Sequence, residues 1–248
     1  MHVHVCSPKP YTTVQQAISK LAPSELNRPT VSTIPMLDLM IHHEDQFQKI
    51  IQELGMSEPD CLTLEYKAGP FAGRGTASHT DVMLQKAEQS LAIEAKWTEP
   101  MYETVEKWLA GAKGDNKSKV LQGWFTQLGR NSFPVDYQKL IYQMVHRAAS
   151  AAEAGTCPAV AYFLFEVEGF SSGASQDAIQ NELKRLRTFL PASFRLHTVK
   201  VHLEPAKGYE KIRGLSPGDE KTSESIVSRL QRKARLFTLK HYNVTSVE

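Results

Sequence analysis

Two short apolar segments carry acid inside them: Thr80-Asp81-Val82-Met83-Leu84 and Leu91-Ala92-Ile93-Glu94-Ala95-Lys96-Trp97. A carboxylate in an apolar strand is costly to bury unless it is paired or holds a metal. Strand alternation puts Glu94 and Lys96 on one face and Ile93, Ala95 and Trp97 on the other. On the preceding segment Asp81 faces opposite to Thr80, Val82 and Leu84. The polar stretch Gln85 to Ser90 reads as a hairpin connection, which brings Asp81 beside Glu94. Two carboxylates that close repel each other. A hard divalent cation, Mg2+ with Mn2+ as a possible substitute, removes the repulsion and supplies a Lewis acid. A lysine two residues on can orient a water or stabilise charge on a phosphate. Such a set is a hydrolytic device for phosphodiesters. The same pattern also fits a cross-strand ion pair of Asp81 or Glu94 with Lys96 and no chemistry.

The elements that must position these residues are legible from periodicity. Helical spacing runs from Tyr11 to Leu21, and again from Leu37 to Leu54 with Phe47, Ile50, Ile51 and Leu54 as the apolar stripe and Gly55 as a C-cap. Ala22 to Pro35 reads as a connector. Cys61 to Lys67 alternates as a strand. Helices are expected over Glu99 to Ala112, Val120 to Leu128, Asp136 to Ala154 and Ala178 to Leu190, with a charged turn at Asp115 to Lys119. The apolar run Ala159 to Phe165 predicts a central strand covered on both faces. Phe194 to Leu203 alternates as another strand, and Ser223 to Leu236 reads as a basic terminal helix after a loop from Pro205 to Asp219. This order makes an α/β layer protein with a mixed sheet. It divides into a helical region over 1–60, a core over 61–205, and a loop with a basic helix over 206–248, expected to form one compact domain.

The chain has 248 residues and a net charge of +2, unevenly spread. Lys+Arg against Asp+Glu count 4 against 7 in residues 1–60, 9 against 8 in 61–130 and 16 against 12 in 131–248. Between Glu224 and Glu248 there is no acid, while Arg229, Arg232, Lys233, Arg235 and Lys240 fall in that stretch. Such a segment suits a phosphate backbone, or is simply a solvated helix face. Cys6, Cys61 and Cys157 are too far apart for a zinc site or a disulfide framework and fit a reducing, cytoplasmic setting. No signal-peptide pattern and no membrane-length apolar run are present, so no membrane partner is expected. His2 and His4 could share one strand face and touch a metal, or lie on the surface.

Asp81 on one strand, then Glu94-Ala95-Lys96 on the next, followed by a helix, resembles the PD-(D/E)XK nuclease superfamily, which includes the restriction-endonuclease-like folds. The likeness covers roughly Leu62 to Val167 and includes Arg74-Gly75-Thr76, His79-Thr80-Asp81 and Ile93-Glu94-Ala95-Lys96-Trp97-Thr98-Glu99-Pro100. It implies a three-layer α/β/α restriction-endonuclease-like fold and metal-dependent cleavage of nucleic acid, DNA in the first instance. It implies Glu65 as the upstream acid and the Ala95 backbone carbonyl as a further metal ligand. It also implies that the downstream helix points polar groups at the site. Gln143, His146 and Arg147 lie at helical spacing for this, and Arg147 could clamp a phosphate; a plain polar helix face fits the three equally. Thr80 stands where the motif has its proline.

Acid-x-Lys recurs, among other places, at Glu65-Tyr66-Lys67, Asp115-Asn116-Lys117 and Glu182-Leu183-Lys184. The last falls in an expected helix and the middle one in an expected turn. The first shares a strand context but has no acid at hairpin distance before it. Gly69 to Gly75 lacks the spacing and the Gly-Lys-Ser/Thr ending of a phosphate loop. It reads as a loop over the site that could use Arg74 on a phosphate, or as a plain turn. No Gly-x-Ser-x-Gly elbow supports an acyl hydrolase. The expectation is a magnesium-dependent endonuclease acting on DNA. The competing class is a nuclease fold used to bind nucleic acid or protein without catalysis. A homodimer is expected only because cutting both strands calls for two sites.

Overall fold

A computed structural model describes residues 2–5, 10–75, 77–111, 114–232 and 234–248. Cys6, Thr76, Ala112 and Lys233, each part of an expectation above, lie outside the described residues.

The chain winds through β1 (His2–Val5), α1 (Val14–Ala17), α2 (Thr33–His42), α3 (Glu44–Glu53), β2 (Cys61–Ala68), β3 (Ser78–Lys86) and β4 (Gln89–Lys96). It continues through α4 (Val105–Ala110), α5 (Asn116–Gln127), α6 (Tyr142–Ala154), β5 (Cys157–Val167), α7 (Gln176–Arg187), β6 (Arg195–Pro205), α8 (Lys207–Glu210), α9 (Glu220–Leu230) and β7 (Phe237–Ser246). The strands form one seven-stranded sheet in the order of the sequence. β1–β2, β4–β5 and β5–β6 pair parallel, and β2–β3, β3–β4 and β6–β7 pair antiparallel. The sheet is therefore mixed, and helices cover both faces.

Alternation along the strands sorts side chains between two cores. Leu62, Leu64, Val82, Leu84, Ile93, Trp97, Phe163 and Phe165 meet α2, α3, α8 and α9 on one face. Met83, Ala92, Val160, Tyr162 and Leu164 meet α5, α6 and α7 on the other. β5 is buried along nearly its whole length, as its continuous apolar run requires. The stripe Phe47, Ile50, Ile51 and Leu54 is buried, and Gly55 follows α3 at φ +80°, the left-handed conformation of a C-cap.

Several boundaries differ from the periodicity. The segment Leu37 to Leu54 is two helices, broken at His43. Among the described residues of the expected helix 99–112, Val105–Ala110 is helical, and Thr104 caps it from outside by accepting from the Lys107 N–H. The expected turn 115–119 opens α5 instead, so the Asp115-Asn116-Lys117 tripeptide enters a helix. The stretch 136–154 is interrupted: Asp136 is left-handed at φ 62°, Tyr137–Lys139 is a single 3-10 turn, and α6 begins at Tyr142.

The largest differences lie at the two ends. The region 1–60 is not purely helical, because β1 adds a parallel edge strand to β2. The C-terminal segment is not one basic helix. α9 ends at Leu230, and β7 then pairs with β6. β7 escapes pattern reading because its alternation is broken: Phe237 and Leu239 precede, and Tyr242 and Val244 follow, a register shift in its pairing with β6. Of the described basic residues after Glu224, Arg229 lies in α9, Arg232 and Arg235 between α9 and β7, and Lys240 in β7, where it pairs with Glu204 at 2.5 Å. No helix is long and apolar enough to cross a membrane among the described residues.

Candidate functional site

Three adjacent strands and one helix build the site. β3 and β4 pair from Lys86↔Gln89 up to Val82↔Ile93 and then separate. That register sets Asp81 opposite Glu94 at the point where the ladder opens. The Asp81 side chain occupies the gap: Oδ2 accepts the Ala95 backbone N–H at 2.7 Å. On the other side of β3, Leu64↔Val82 and Tyr66↔Thr80 pair, while Glu65 between them adopts φ 51°. A positive φ is uncommon for a residue with a Cβ and costs about 1–3 kcal/mol. The strained backbone is therefore located at the residue next to Asp81.

Glu94 is the hub. Its Oε1 accepts from Lys96 Nζ at 2.8 Å and from Gln143 Nε2 at 2.7 Å. Its Oε2 accepts from Arg147 Nε. Arg147 also donates to Ser78 Oγ at 2.7 Å, and Ser78 Oγ lies 2.7 Å from His146 Nδ1. Gln143 and Arg147 stand one turn apart on α6, so a single helix face reaches a single carboxylate. The Lys96 ammonium sits 4.7 Å from the centre of the Tyr102 ring. The Nδ1 of His79 lies 3.6 Å from Glu65 Oε2.

These groups line a cavity of about 400 Å³ whose walls include Glu25, Glu65, Asp81, Glu94, Glu99 and Lys96. Burial pushes the Glu65 carboxyl up to about 9, and the nearby Asp81 adds to it. Burial likewise raises Asp81 to about 7, with Glu94 as the second cause. Glu94 moves the other way. Burial opposes its ionisation, but Arg147 and Lys96 together outweigh that and hold it charged. Lys96 is raised because Glu94 and Asp81 overcome its own desolvation, so it keeps its proton. Of the three neighbouring acids Glu65, Asp81 and Glu94, one is therefore ionised and ion-paired and two resist ionisation.

Among the described residues no three histidine, cysteine or acidic side chains form a ready-made metal group. The donor chemistry nevertheless fits a hard divalent cation. Asp81 Oδ2 is bound to Ala95, and Oδ1 accepts no hydrogen bond among the described residues. The acids carry a mutual repulsion, visible in the raised Asp81 and Glu65, which a cation relieves. Asp81, Glu94, Glu65 and the Ala95 carbonyl would hold it, with Glu94 giving up part of its contact with Lys96.

The residues expected from the sequence divide cleanly. Asp81, Glu94, Ala95, Lys96, Glu65, Gln143 and Arg147 all line the one cavity. The Glu65-Tyr66-Lys67 tripeptide is no rival, since Glu65 faces the same space. His146 reaches the site through Ser78 and Arg147 and lines a neighbouring cavity. Arg74 lines that neighbour too and does not reach the acids. His2 is exposed at the sheet edge, away from this cavity. Ser78, Glu99 and Tyr102 were not singled out by sequence reasoning. Ser78 sits a few residues before Asp81 on its strand. Glu99 closes the turn after β4 by accepting the Ser32 N–H at 2.7 Å and the Trp97 N–H at 2.9 Å. Tyr102 is marked by exposure alone, 55 % for a large aromatic residue, which sequence does not reveal.

Comparison with curated proteins gives no match, and comparison with solved structures gives none either. Comparison with family models does: residues 10–207, which span the whole of the cavity's lining, match the family described as a domain of unknown function, DUF6946, and the chain belongs to that family.

Proposed function

We propose that this protein is a divalent-metal-dependent nuclease that hydrolyses phosphodiester bonds in DNA, on a restriction-endonuclease-like fold. One observation carries the reading: Asp81 and Glu94 face each other where the β3–β4 ladder opens, with Lys96 two residues on and Glu65 beside them. Magnesium, held by Asp81, Glu94, Glu65 and the Ala95 carbonyl, would supply charge neutralisation and Lewis acidity at the phosphate. Lys96 keeps its proton, so its part is to orient the attacking water and to donate to developing negative charge rather than to act as a base. Arg147 holds Glu94 in place and stands at the cavity wall where a phosphate oxygen would lie. A restriction, repair or other defence role in the cytoplasm accords with this chemistry.

The test is incubation of wild type, Asp81→Ala and Lys96→Ala with supercoiled plasmid and magnesium or manganese. Wild type is expected to nick or linearise the plasmid and both variants to fail. Equal cutting by all three overturns the reading.

A second reading rests on Glu94, whose carboxylate is already engaged by three donors. A saturated carboxylate also suits a nuclease fold that binds nucleic acid or protein without cutting. Retention of DNA in a gel shift with no cleavage in either metal selects it.

A further inference from the structure

A second cavity, of about 460 Å³, adjoins the acidic one and shares His79, Tyr102, Gln143 and Arg147 with it. Its chemistry is the opposite. Among the described residues its lining contains no carboxylate, whereas the acidic cavity has five. In their place stand Arg74 and Lys117 with the aromatic rings of Tyr102, Trp108, Trp124 and Tyr142. Neither Arg74 nor Lys117 has an acidic partner among the described residues.

The rings are held in place rather than scattered. Trp108 and Tyr142 stack at 3.9 Å with planes 10° apart. The Trp124 indole N–H donates to the Tyr142 hydroxyl at 3.2 Å. Lys117 lies over Trp108, 4.9 Å from the ring centre, and donates to the Trp108 carbonyl. The loop bearing Arg74 is pinned by Asn116, which accepts the Arg74 N–H at 2.8 Å and donates to its carbonyl at 2.5 Å. Tyr102 stands between the two cavities with Lys96 against its ring and more than half its surface open.

We propose that this second cavity seats the unpaired nucleotide next to the phosphate in the acidic cavity, so that the substrate is single-stranded or locally melted DNA. The proposal rests on the nuclease reading for what occupies the acidic side. Aromatic faces bind bases only when those bases are out of a duplex stack, because stacking on the neighbouring pairs covers both faces. Cations without acidic partners supply the contact to the backbone phosphates. The volume lies in the range that encloses one small ligand, about 300–1,000 Å³, which admits a nucleotide and excludes a helix. Tyr102 offers the stacking face at the junction, and Arg74 and Lys117 take the phosphates that lead away.

The test measures binding in EDTA, where no cleavage occurs, by fluorescence anisotropy of a labelled DNA strand and of a blunt hairpin duplex of the same composition. Wild type is expected to hold the strand at least tenfold more tightly than the duplex. Tyr102→Ala is expected to weaken strand binding by about 5- to 100-fold, and Tyr102→Phe to restore it. Because Tyr102 is exposed, circular dichroism should show both variants folded. Lys117→Gln is expected to lower the slope of log K against log salt by about 0.7, while Tyr102→Ala leaves that slope unchanged. Equal affinity for strand and duplex overturns the proposal, as does Tyr102→Ala binding like wild type. Strand-selective binding without any cleavage in metal overturns the nuclease reading and upholds the nucleotide site. Cleavage of plasmid with equal binding of both forms does the reverse.

Discussion

Asp81 bonds through its side chain to the Ala95 N–H, at 2.7 Å, where β3 and β4 have stopped pairing. The carboxylate thus satisfies a backbone group the ladder leaves open while being half-buried beside Glu94. Its pKa rises from 3.8 in the unfolded chain to about 7 in the fold. The folded state then binds more protons than the unfolded one between those values, so stability falls as pH rises through that window. Asp81→Asn keeps an acceptor for Ala95 and removes the charge. Its gain in stability should grow from pH 4 to about pH 7 and stay level above, reaching about 4 kcal/mol at most. Urea unfolding of both proteins across that range measures it, and a gain that does not change with pH disproves the assignment.

On the proposed nuclease reading, the same two acids set the pH dependence of cleavage. Glu65 is raised to about 9 and Asp81 to about 7, both by burial first. Coordination of magnesium needs the ionised forms, so activity should climb with pH between about 7 and 9. A metal competes with the protons, and more metal should move the whole profile to lower pH. Initial rates at two manganese concentrations over this range check both parts; a profile that ignores metal concentration contradicts the ligand assignment.

Arg147 and Glu94 form a buried pair on which the site's rigidity depends. Removing one partner of such a pair leaves a buried charge and costs about 3–5 kcal/mol. Arg147→Met should lower stability by that order at pH 7, less whatever Lys96 and Gln143 still supply to Glu94. Adding Glu94→Gln should recover part of the loss. A double-mutant cycle by denaturant unfolding isolates the coupling, and strictly additive effects would show that the two do not act as a pair.

How much of this was readable beforehand depends on the kind of signal. Asp81, Glu94 and Lys96 were legible because acids in apolar strands break the pattern, and the alternation of β4 fixed which face they share. Gln143 and Arg147 came from the resemblance, which asks for polar groups on the downstream helix, and from their helical spacing. Tyr102, Trp108 and Lys117 were not legible as a group, since they meet only when α4, α5 and α6 pack together. β7 was hidden for a different reason: a register shift at Lys240 puts its two apolar pairs, Phe237 with Leu239 and Tyr242 with Val244, out of step with each other. The left-handed Glu65 could not be foreseen, because nothing in a sequence marks a non-glycine residue held at positive φ by its neighbours.

Thr80 has a hydroxyl that is fully buried and has no partner among the described residues. An unpaired buried hydroxyl is unfavourable, and an isosteric methyl avoids its desolvation. Thr80→Val should therefore stabilise the protein by about 1 kcal/mol and leave the cavity lining unchanged. A fall in melting temperature would show that the hydroxyl is engaged.

The wall between the glycine-rich loop and α5 offers the last test. Gly123 lies in the middle of α5, where glycine is about 1 kcal/mol worse than alanine on helix propensity alone. On propensity, Gly123→Ala should stabilise. Packing argues against it. A Cβ at Gly123 would stand 2.6 Å from the Ala72 N and 2.9 Å from the Phe71 N, both backbone atoms of the loop that carries Arg74. Backbone cannot step aside as the end of a side chain can, so the loop must lift from the helix. The cost of such overpacking, about 1–3 kcal/mol, exceeds the propensity gain, and the net should be destabilising. The lift would also move Arg74 relative to Asn116, to which its backbone is bonded. Gly123→Ala should then weaken binding of single-stranded DNA while leaving metal binding at Asp81 and Glu94 intact. Thermal unfolding and strand binding measured on the same variant decide it: a stabilised protein with unchanged binding would mean that the loop does not rest on α5 in solution.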